Sequence, residues 1–170
     1  MSYNTIKMNL IGQHKHEHKM NFGSAHHMEI IKYSKCPKYI QDEIVRQFLT
    51  EMHDYKDKNY VHTWITELLE DNGQFYVMVS QDMKFIGTIG IQFGETHIDG
   101  VLVSQPYRRQ GYGKRLLAFA EKQLKKKQAN QVSLYCYEHM RSFYINLGWT
   151  HNGIIKMKNG LFGHVMKKKL

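Results

Sequence analysis

The stretch "VSQPYRRQGYGKRLL" (residues 103–117) decides the fold, because it leads a strand into a helix through a turn with two arginines and two glycines. Gly111 and Gly113 have no Cβ, so they can adopt backbone angles closed to other residues and leave room for a ligand. At the start of a helix, successive N–H groups converge and the helix dipole adds partial positive charge. With the full charges of the arginines and Lys114, the turn predicts a phosphate-binding site.

Two common phosphate loops do not fit this turn. A dinucleotide-binding fingerprint requires a third glycine three residues after Gly113, and the chain has Leu116 there. A Walker loop requires Ser or Thr after its lysine, whereas Lys114 is followed by Arg115. Two interpretations of the turn remain at this point: another class of phosphate-binding turn, or a plain tight turn with surface arginines.

Strands and helices are predicted on both sides of the turn from the periodicity of apolar residues. The predicted strands are short runs rich in β-branched and aromatic residues, at 28–34, 74–80, 84–93, 96–104, 131–137, 152–158 and 161–169. The predicted helices have apolar residues three and four positions apart, and they begin near Pro37, Asp57, Gly113 and His139. The resulting order β-α-α-β-β-β-α-β-α-β-β predicts an α/β (α+β) fold, a mixed sheet covered by helices.

Three local features add detail to the predicted fold. Asp57 is suited to cap the second helix, since its side chain can accept hydrogen bonds from the first turn. Gly100, inside the strand at 96–104, predicts a bulge or a close backbone approach. The pair Asn159-Gly160 is typical of a hairpin turn and joins the last two strands.

Length and composition predict one domain. The chain has 170 residues, of which 42% are apolar and 23% are charged. Residues 1–27 are predicted to form a flexible His-rich extension, with five of the eleven histidines, and residues 28–170 a single domain. The histidine spacing matches no structural metal site, so no metal is expected. No signal peptide or membrane-spanning run is evident, so a cytoplasmic location without a membrane partner is expected.

The net charge of +9 favours an anionic partner, either nucleic acid or a phosphorylated small molecule. The basic residues are scattered or lie at element ends, as in 125–127 and 167–169, without the pattern of a recognition helix. We therefore expect no nucleic-acid partner. The two cysteines, Cys36 and Cys136, are expected to be reduced thiols.

Two motifs together resemble the GNAT N-acetyltransferase superfamily. The family's acyl-CoA-binding motif, Gln/Arg-x-x-Gly-x-Gly/Ala, is matched by Arg108, Gly111 and Gly113. Further on, "SFYINLGW" (142–149) resembles the family's second motif, a helix with a tyrosine followed by Leu-Gly-aromatic. The order of elements from about residue 28 to 170 also matches. The resemblance implies the GNAT fold, with acetyl-CoA as co-substrate and its pyrophosphate on the turn.

The resemblance further implies an acetyl-CoA-dependent N-acetyltransferase that works by direct attack of a primary amine in a ternary complex. Tyr144 stands at the position of the family's general-acid tyrosine, and a phenol can donate a proton to the departing thiolate. The general base is expected to be Asp99 or His97, acting directly or through water. Asp99 occupies the position where many relatives carry Glu, whereas His97 has the more suitable ordinary pKa, about 6.5.

The resemblance also assigns residues to the cofactor. The backbone of Leu102 and Val103 is expected to pair with the pantetheine arm. The remaining expected cofactor contacts lie in or beside the turn, at Arg108, Arg109, Gln110, Gly111, Tyr112, Gly113 and Lys114. The chain departs from the family at Glu138 and Arg141, where many relatives have Asn and Ala, so the start of that helix carries no predicted cofactor contact.

The acceptor is expected to be a small amine or a peptide or protein amine, entering between the two N-terminal helices and the later strands. The acidic side chains of Glu51, Asp54, Glu67 and Glu70 could attract a cationic amine there or form an ordinary solvated face. The alternative function is a CoA-binding sensor or regulatory module of the same fold without transfer. A homodimer formed through the late strands is a further possibility that the sequence leaves open.

Overall fold

The computed structural model describes residues 27–51, 57–157 and 160–170, which form one mixed sheet covered by helices. The strands are β1 (Met28–Lys32), β2 (Gly73–Ser80), β3 (Phe85–Gln92), β4 (His97–Val103), β5 (Gln131–Cys136), β6 (Thr150–Lys156) and β7 (Phe162–Lys169). The α-helices are α1 (Lys38–Glu51), α2 (Lys58–Glu70), α3 (Tyr112–Lys126) and α4 (Glu138–Asn146). Short 3₁₀ turns follow β1 (Tyr33–Lys35) and β4 (Gln105–Tyr107). The predicted fold class and order of elements are confirmed.

Some of the sequence predictions fall on residues outside the described ranges. These are the His-rich extension apart from His27, the acidic Asp54, and Asn159 of the predicted hairpin turn. The hairpin itself is present, because β6 and β7 pair antiparallel on both sides of that turn. Among the helices that the structure describes, none has the length and apolar character needed to cross a bilayer.

The strands lie in the order β1-β2-β3-β4-β5-β7-β6, and every neighbouring pair is antiparallel except β4 and β5. That parallel pair is short, joining His97 to Ser133 and Ile98 to Leu134. Beyond these positions β4 and β5 separate. We call the opening between them the β4–β5 cleft, and its apex lies next to Ile98 and Leu134.

A bulge bends β4 at the apex of the cleft. Thr88 pairs with Leu102 and Gly90 with Asp99, so β4 has one more residue than β3 between these two pairs. Gly100, in the bulge, has a φ of +57°. The Thr88 hydroxyl donates to the Gly100 carbonyl at 2.8 Å, which satisfies a buried backbone group of the bulge. The bulge predicted at Gly100 is confirmed, and it strengthens the local twist where β4 leaves β5.

Each face of the sheet carries its own apolar core. The core under α3 and α4 includes Ile86, Ile89, Ile98, Leu116, Leu117, Leu134 and Trp149. The core under α1 and α2 includes Ile40, Ile44, Phe48, Val61, Ile65, Leu68, Phe75 and Leu102. Burying one such aliphatic or aromatic side chain contributes about 1.5–3 kcal/mol, so both helix pairs are fixed to the sheet. A ligand in the β4–β5 cleft would lie between these two layers.

The helix boundaries follow from local sequence chemistry. Asp57 caps α2 as predicted, because its carboxylate accepts a hydrogen bond from the Tyr60 backbone N–H at 2.9 Å. Gly148 ends the segment that contains α4 with a φ of +84°, a left-handed conformation that suits glycine after a helix. The cap fixes where α2 begins and therefore which of its side chains face β4.

Replacing Gly100 by alanine is expected to destabilise the protein by about 2–4 kcal/mol. The new Cβ would lie 2.4 Å from Cη2 of Trp64, and alanine disfavours a φ of +57°. Gly94→Ala is the control, because a Cβ there meets no atom within 4 Å and φ is not positive. Urea unfolding followed by circular dichroism measures both variants. Equal free energies of unfolding for the two would contradict the packing argument.

Candidate active site

The glycine turn presents the start of α3 to open space. Gly111 is the N-cap of α3 with a φ of +85°, and a Cβ placed on it would meet no atom within 4 Å. No side chain caps the helix, and its first turn has no acidic residue. The first backbone N–H groups of a helix have no partner within the helix, so here they remain available to an anion. This geometry fits the phosphate site that the sequence predicts.

Gly113 has a different role from Gly111. A Cβ on Gly113 would lie 3.3 Å from Cζ of Phe143 and 3.8 Å from Cγ2 of Val103. The absence of a side chain therefore lets the first turn of α3 pack closely against α4 and β4. One glycine provides the backbone conformation, and the other provides the close packing.

Arg108 joins the turn to two other elements. Its Nε donates to the Val103 carbonyl at 2.9 Å, and its Nη2 forms an ion pair with Glu51 Oε2 at 2.7 Å. Glu51 ends α1, so this pair links α1 to the turn. Because Glu51 is engaged with Arg108, it is not available in this structure to attract an acceptor amine.

The other predicted contacts in the turn differ in exposure. Arg109 and Lys114 are exposed, and Arg109 has a left-handed φ of +60°. Gln110 donates through Nε2 to the Pro106 carbonyl at 3.0 Å. Tyr112 is buried with its ring edge-on to Tyr107, so its contribution to an anion site would be its backbone N–H.

The strand ladder decides which β4 backbone groups face the cleft. Ser104 N–H donates to the Ile86 carbonyl at 2.8 Å, so the backbone N–H and C=O of Ser104 point towards β3. These backbone groups alternate in direction along a strand. Those of Leu102 therefore also point towards β3, and those of Val103 point away from it. The bond from Arg108 to the Val103 carbonyl agrees with this assignment. The same alternation places the groups of Val101, rather than those of Leu102, beside Val103 on the cleft side.

Tyr144 lies on the α4 side of the cleft and is 5% exposed. Its ring packs edge-on against Phe143 and Trp149, with centroid distances of 5.1 and 5.9 Å. Burial raises the pKa of Tyr144 well above its ordinary value, and interactions with Cys136 and Asp99 raise it further. The phenol therefore keeps its proton at neutral pH and can act as a proton donor.

Asp99 lies on the opposite face, at the apex of the cleft. It pairs with Gly90, where a Cβ would contact Leu68 of α2, so the Asp99 side chain lies on the α2 side. Its Oδ1 accepts from the Gly100 N–H at 2.7 Å, and its Oδ2 accepts from Trp64 Nε1 at 3.2 Å. Tyr144 belongs to the core under α3 and α4, so Asp99 and Tyr144 lie on opposite faces of the sheet.

His97 lies on the same face as Asp99 but deeper, where β4 and β5 are still paired. Its Nδ1 is 2.9 Å from the Ser133 hydroxyl, and its ring is 4.5 Å from that of Tyr135. Burial lowers the pKa of His97, and the charges of Asp99 and Glu95 partly offset this effect. His97 is therefore neutral at pH 7 and can accept a proton. The structure brings both predicted base candidates together and puts Asp99 nearer the cleft.

The start of α4 is held by a chain of polar contacts. Glu138 pairs with Arg141 at 3.0 Å and with His164 Nε2 at 2.5 Å. The Nδ1 atom of His164 is 3.0 Å from Nε2 of His151. These contacts fix α4 to β6 and β7. Glu138 and Arg141, which depart from the family pattern, therefore have a structural role in this chain.

Two features of the site escape prediction from the sequence. Trp64 donates to Asp99, yet at helical spacing a tryptophan is indistinguishable from an ordinary core residue. Ser133 forms a hydrogen bond with His97, and no sequence pattern marks it.

The buried thiol of Cys136 is kept protonated, because burial raises its pKa to about 11. Within the described residues, no three His, Cys, Asp or Glu side chains are arranged to hold a metal ion.

Comparison with protein families identifies this arrangement. Residues 36–170 match the model of the acetyltransferase (GNAT) domain. No curated protein sequence matches the chain significantly.

Several solved structures share the fold. An acetyltransferase of the GNAT family from Staphylococcus aureus Mu50 is 18% identical, with a TM-score of 0.65 over 84% of this chain and 99% of that one. An aminoglycoside 6'-N-acetyltransferase complexed with coenzyme A is 19% identical, with a TM-score of 0.67 over 83% and 96% of the two chains. Ard1 from Thermoplasma volcanium is 15% identical, with a TM-score of 0.68 over 84% and 97%.

Replacing His97 by glutamine is expected to reduce the loss of stability in mild acid. Because the folded pKa of His97 is lowered, the unfolded chain takes up a proton near pH 6.5 before the folded protein does. Stability from this group is therefore present above that pH and falls as the pH decreases through it. Thermal unfolding at pH 7.5 and 5.5 measures the change in Tm.

His139→Gln is the control for this measurement, because His139 is exposed and its replacement leaves the buried His97 in place. We expect a smaller decrease in Tm for His97→Gln than for wild type, and a wild-type decrease for His139→Gln. The same decrease in all three proteins would show that burial of His97 does not govern acid stability.

Proposed function

Since the chain belongs to the GNAT acetyltransferase family, we propose that it moves an acetyl group from acetyl-CoA to a primary amine by direct attack in a ternary complex. Family membership makes the protein an acyltransferase. The observation that supports the amine acceptor and direct transfer is the placement of Asp99 and Tyr144 on opposite faces of the sheet beside the β4–β5 cleft. A proton acceptor and a proton donor on opposite sides of one opening suit a single displacement.

The residues present fit acetyl-CoA. The uncapped start of α3, with Gly111 as its N-cap, suits the pyrophosphate, and the exposed Arg109 and Lys114 add positive charge. The backbone groups of Val101 and Val103 on the cleft side suit the amides of the pantetheine arm. When bound, acetyl-CoA supplies the acetyl group as an activated thioester. The protein's own groups then have to hold it, orient the amine and move protons.

Asp99 is proposed to prepare the acceptor. A primary amine with a pKa of about 10 is mostly protonated at pH 7 and cannot attack a carbonyl carbon until it loses a proton. The Asp99 carboxylate, directly or through a water molecule, accepts this proton. His97 lies next to Asp99 on the same face and is neutral, so it can pass the proton on towards Ser133 and solvent.

Tyr144 is proposed to protonate the departing sulfur. The new C–N bond forms as the C–S bond breaks, and the sulfur leaves with the electron pair of that bond. Tyr144 donates its phenolic proton to the thiolate and recovers it from the proton released by the attacking nitrogen. The products are the acetylated amine, coenzyme A and the proton that Asp99 accepted from the amine, so atoms and charges balance. Burial of Tyr144 keeps this proton in place until the sulfur leaves.

The acceptor is proposed to approach from the α2 side, where Asp99 lies. Tyr135 is half exposed there beside His97, and Trp64 donates a hydrogen bond to Asp99. Glu67 and Glu70 are exposed on α2 and could draw a cationic amine towards this face. Both small amines and the amino groups of peptides have this chemistry.

Acetyl-CoA is expected to raise the Tm of the wild-type protein, and Gly111→Val is expected to abolish most of this shift. Valine strongly disfavours the φ of +85° that Gly111 adopts in the turn, so the first N–H groups of α3 would no longer converge. Gly94→Val is the control, since Gly94 lies outside the turn with no positive φ. A full shift in Gly111→Val would contradict the assignment of the pyrophosphate to this turn.

Tyr144→Phe is expected to lower kcat by about 100-fold, because general acid catalysis typically contributes this much or more. The rate is measured as thiol release from acetyl-CoA with a panel of amines and peptides. Tyr76→Phe is the matched control, a part-buried tyrosine that packs against Phe119 in the same core, away from the cleft. Its kcat should equal that of wild type.

Three outcomes separate the hypotheses. Amine-dependent thiol release that decreases in Tyr144→Phe supports direct transfer with Tyr144 as the acid. Stabilisation by acetyl-CoA with no thiol release from any acceptor in the panel would favour a CoA-binding sensor. Thiol release that is unchanged in Tyr144→Phe would remove Tyr144 from the mechanism.

A further inference from the structure

We propose that Trp64 is a positioning residue of the active site, which holds the Asp99 carboxylate in its working orientation and ties that orientation to helix α2. The proposal rests on the proposed function, in which Asp99 accepts the proton of the acceptor amine. Trp64 would not contact the reacting atoms itself. It would act through its hydrogen bond to Asp99.

The geometry of Asp99 supports this role. Its Oδ1 accepts from the Gly100 backbone at 2.7 Å, and its Oδ2 accepts from Trp64 Nε1 at 3.2 Å. One donor belongs to the bulge of β4 and the other to α2, so the plane of the carboxylate is fixed at both oxygens. A carboxylate has about four lone-pair positions, so acceptor capacity remains for an amine or a water molecule. Without the indole N–H, only the Gly100 contact would restrain the side chain.

Trp64 can serve as a support because its own ring is fixed by packing. It lies edge-on to Phe75 of β2 with a centroid distance of 5.4 Å, and it packs against Phe48 of α1 at the same distance. It also lies over the bulge, where the missing side chain of Gly100 leaves space for its ring. Three elements therefore hold the indole, and the direction of its N–H is set by the core.

The groups around Asp99 leave its carboxylate a small number of useful orientations. His97 and Tyr135 lie beside it on the sheet, and Trp64 lies above it. A carboxylate that rotated freely among these groups would meet the acceptor nitrogen in productive positions only part of the time. Restricting its rotation raises the fraction of complexes that can react, which increases kcat more than it changes substrate binding.

The test is a double-mutant cycle with Trp64→Phe and Asp99→Asn. Phenylalanine keeps an aromatic ring against Phe48 and Phe75 but removes the N–H donor. We expect Trp64→Phe to lower kcat by about tenfold, which is typical of one hydrogen bond to a charged group, with KM for acetyl-CoA within about twofold of wild type. In the Asp99→Asn background, the same substitution should change kcat by less than about twofold, because the group it positions is already gone.

Trp149→Phe is the matched control. Trp149 is the other tryptophan of the chain, it is 2% exposed, and its indole N–H has no hydrogen-bond partner in the described structure. Because Trp149 packs against Tyr144, its substitution can lower kcat only through the acid or the core, so any effect should be equal in the wild-type and Asp99→Asn backgrounds. If Trp64→Phe does not fold, Trp64→Met is a second variant without a donor, with a flexible side chain that fills the space.

The outcomes distinguish this proposal from the proposed function. If Asp99→Asn lowers kcat while Trp64→Phe keeps the wild-type value, the positioning role is wrong and the base assignment stands. If Trp64→Phe loses the same factor with and without the Asp99 carboxylate, Trp64 acts through the core rather than through Asp99. If Asp99→Asn itself keeps the wild-type kcat, Asp99 is not the base, and both assignments are wrong.

Discussion

The early separation of β4 from β5 is the constraint on which the rest of the site depends. After two paired positions, the facing backbone groups of β4 no longer have a neighbouring strand. A buried backbone group without a partner is costly, so such an opening is stable only where water or a ligand can reach it. The bulge at Gly100 bends β4 away at the same point. The opening lies between the two apolar cores, so in the proposed function groups from both cores act on one reaction.

The two helical layers have distinct roles around this opening. On one face, α3 and α4 provide the glycine turn and the buried Tyr144, and Gly113 lets the two helices pack closely against each other. On the other face, α1 and α2 provide Glu51 and Trp64, which contact Arg108 and Asp99 respectively. In the proposed function, the cofactor side and the acceptor side are therefore built from different cores.

The parts of the molecule that the sequence predicts are those governed by local chemistry. The order of elements, the cap at Asp57 and the bulge at Gly100 each follow from a few neighbouring residues, and all are confirmed. The unpredicted parts depend on contacts between residues far apart in the chain. Trp64 and Asp99 are 35 positions apart, and Arg108 and Glu51 are 57 positions apart. Similarly, the resemblance predicts pantetheine contacts at Leu102 and Val103, but only the β3–β4 ladder indicates that the backbone of Val103 faces the cleft.

The unpaired edge of β4 also has a consequence for amide hydrogen exchange. The N–H groups of Val101 and Val103 face the cleft, whereas that of Leu102 points towards β3. Exchange with solvent should therefore alternate residue by residue along one buried strand, fast on the cleft side and slow on the β3 side. A molecule that fills the cleft would remove this alternation. The exchange pattern of the β4 amides therefore reports whether the cleft is occupied, without a label on the ligand and without catalytic turnover.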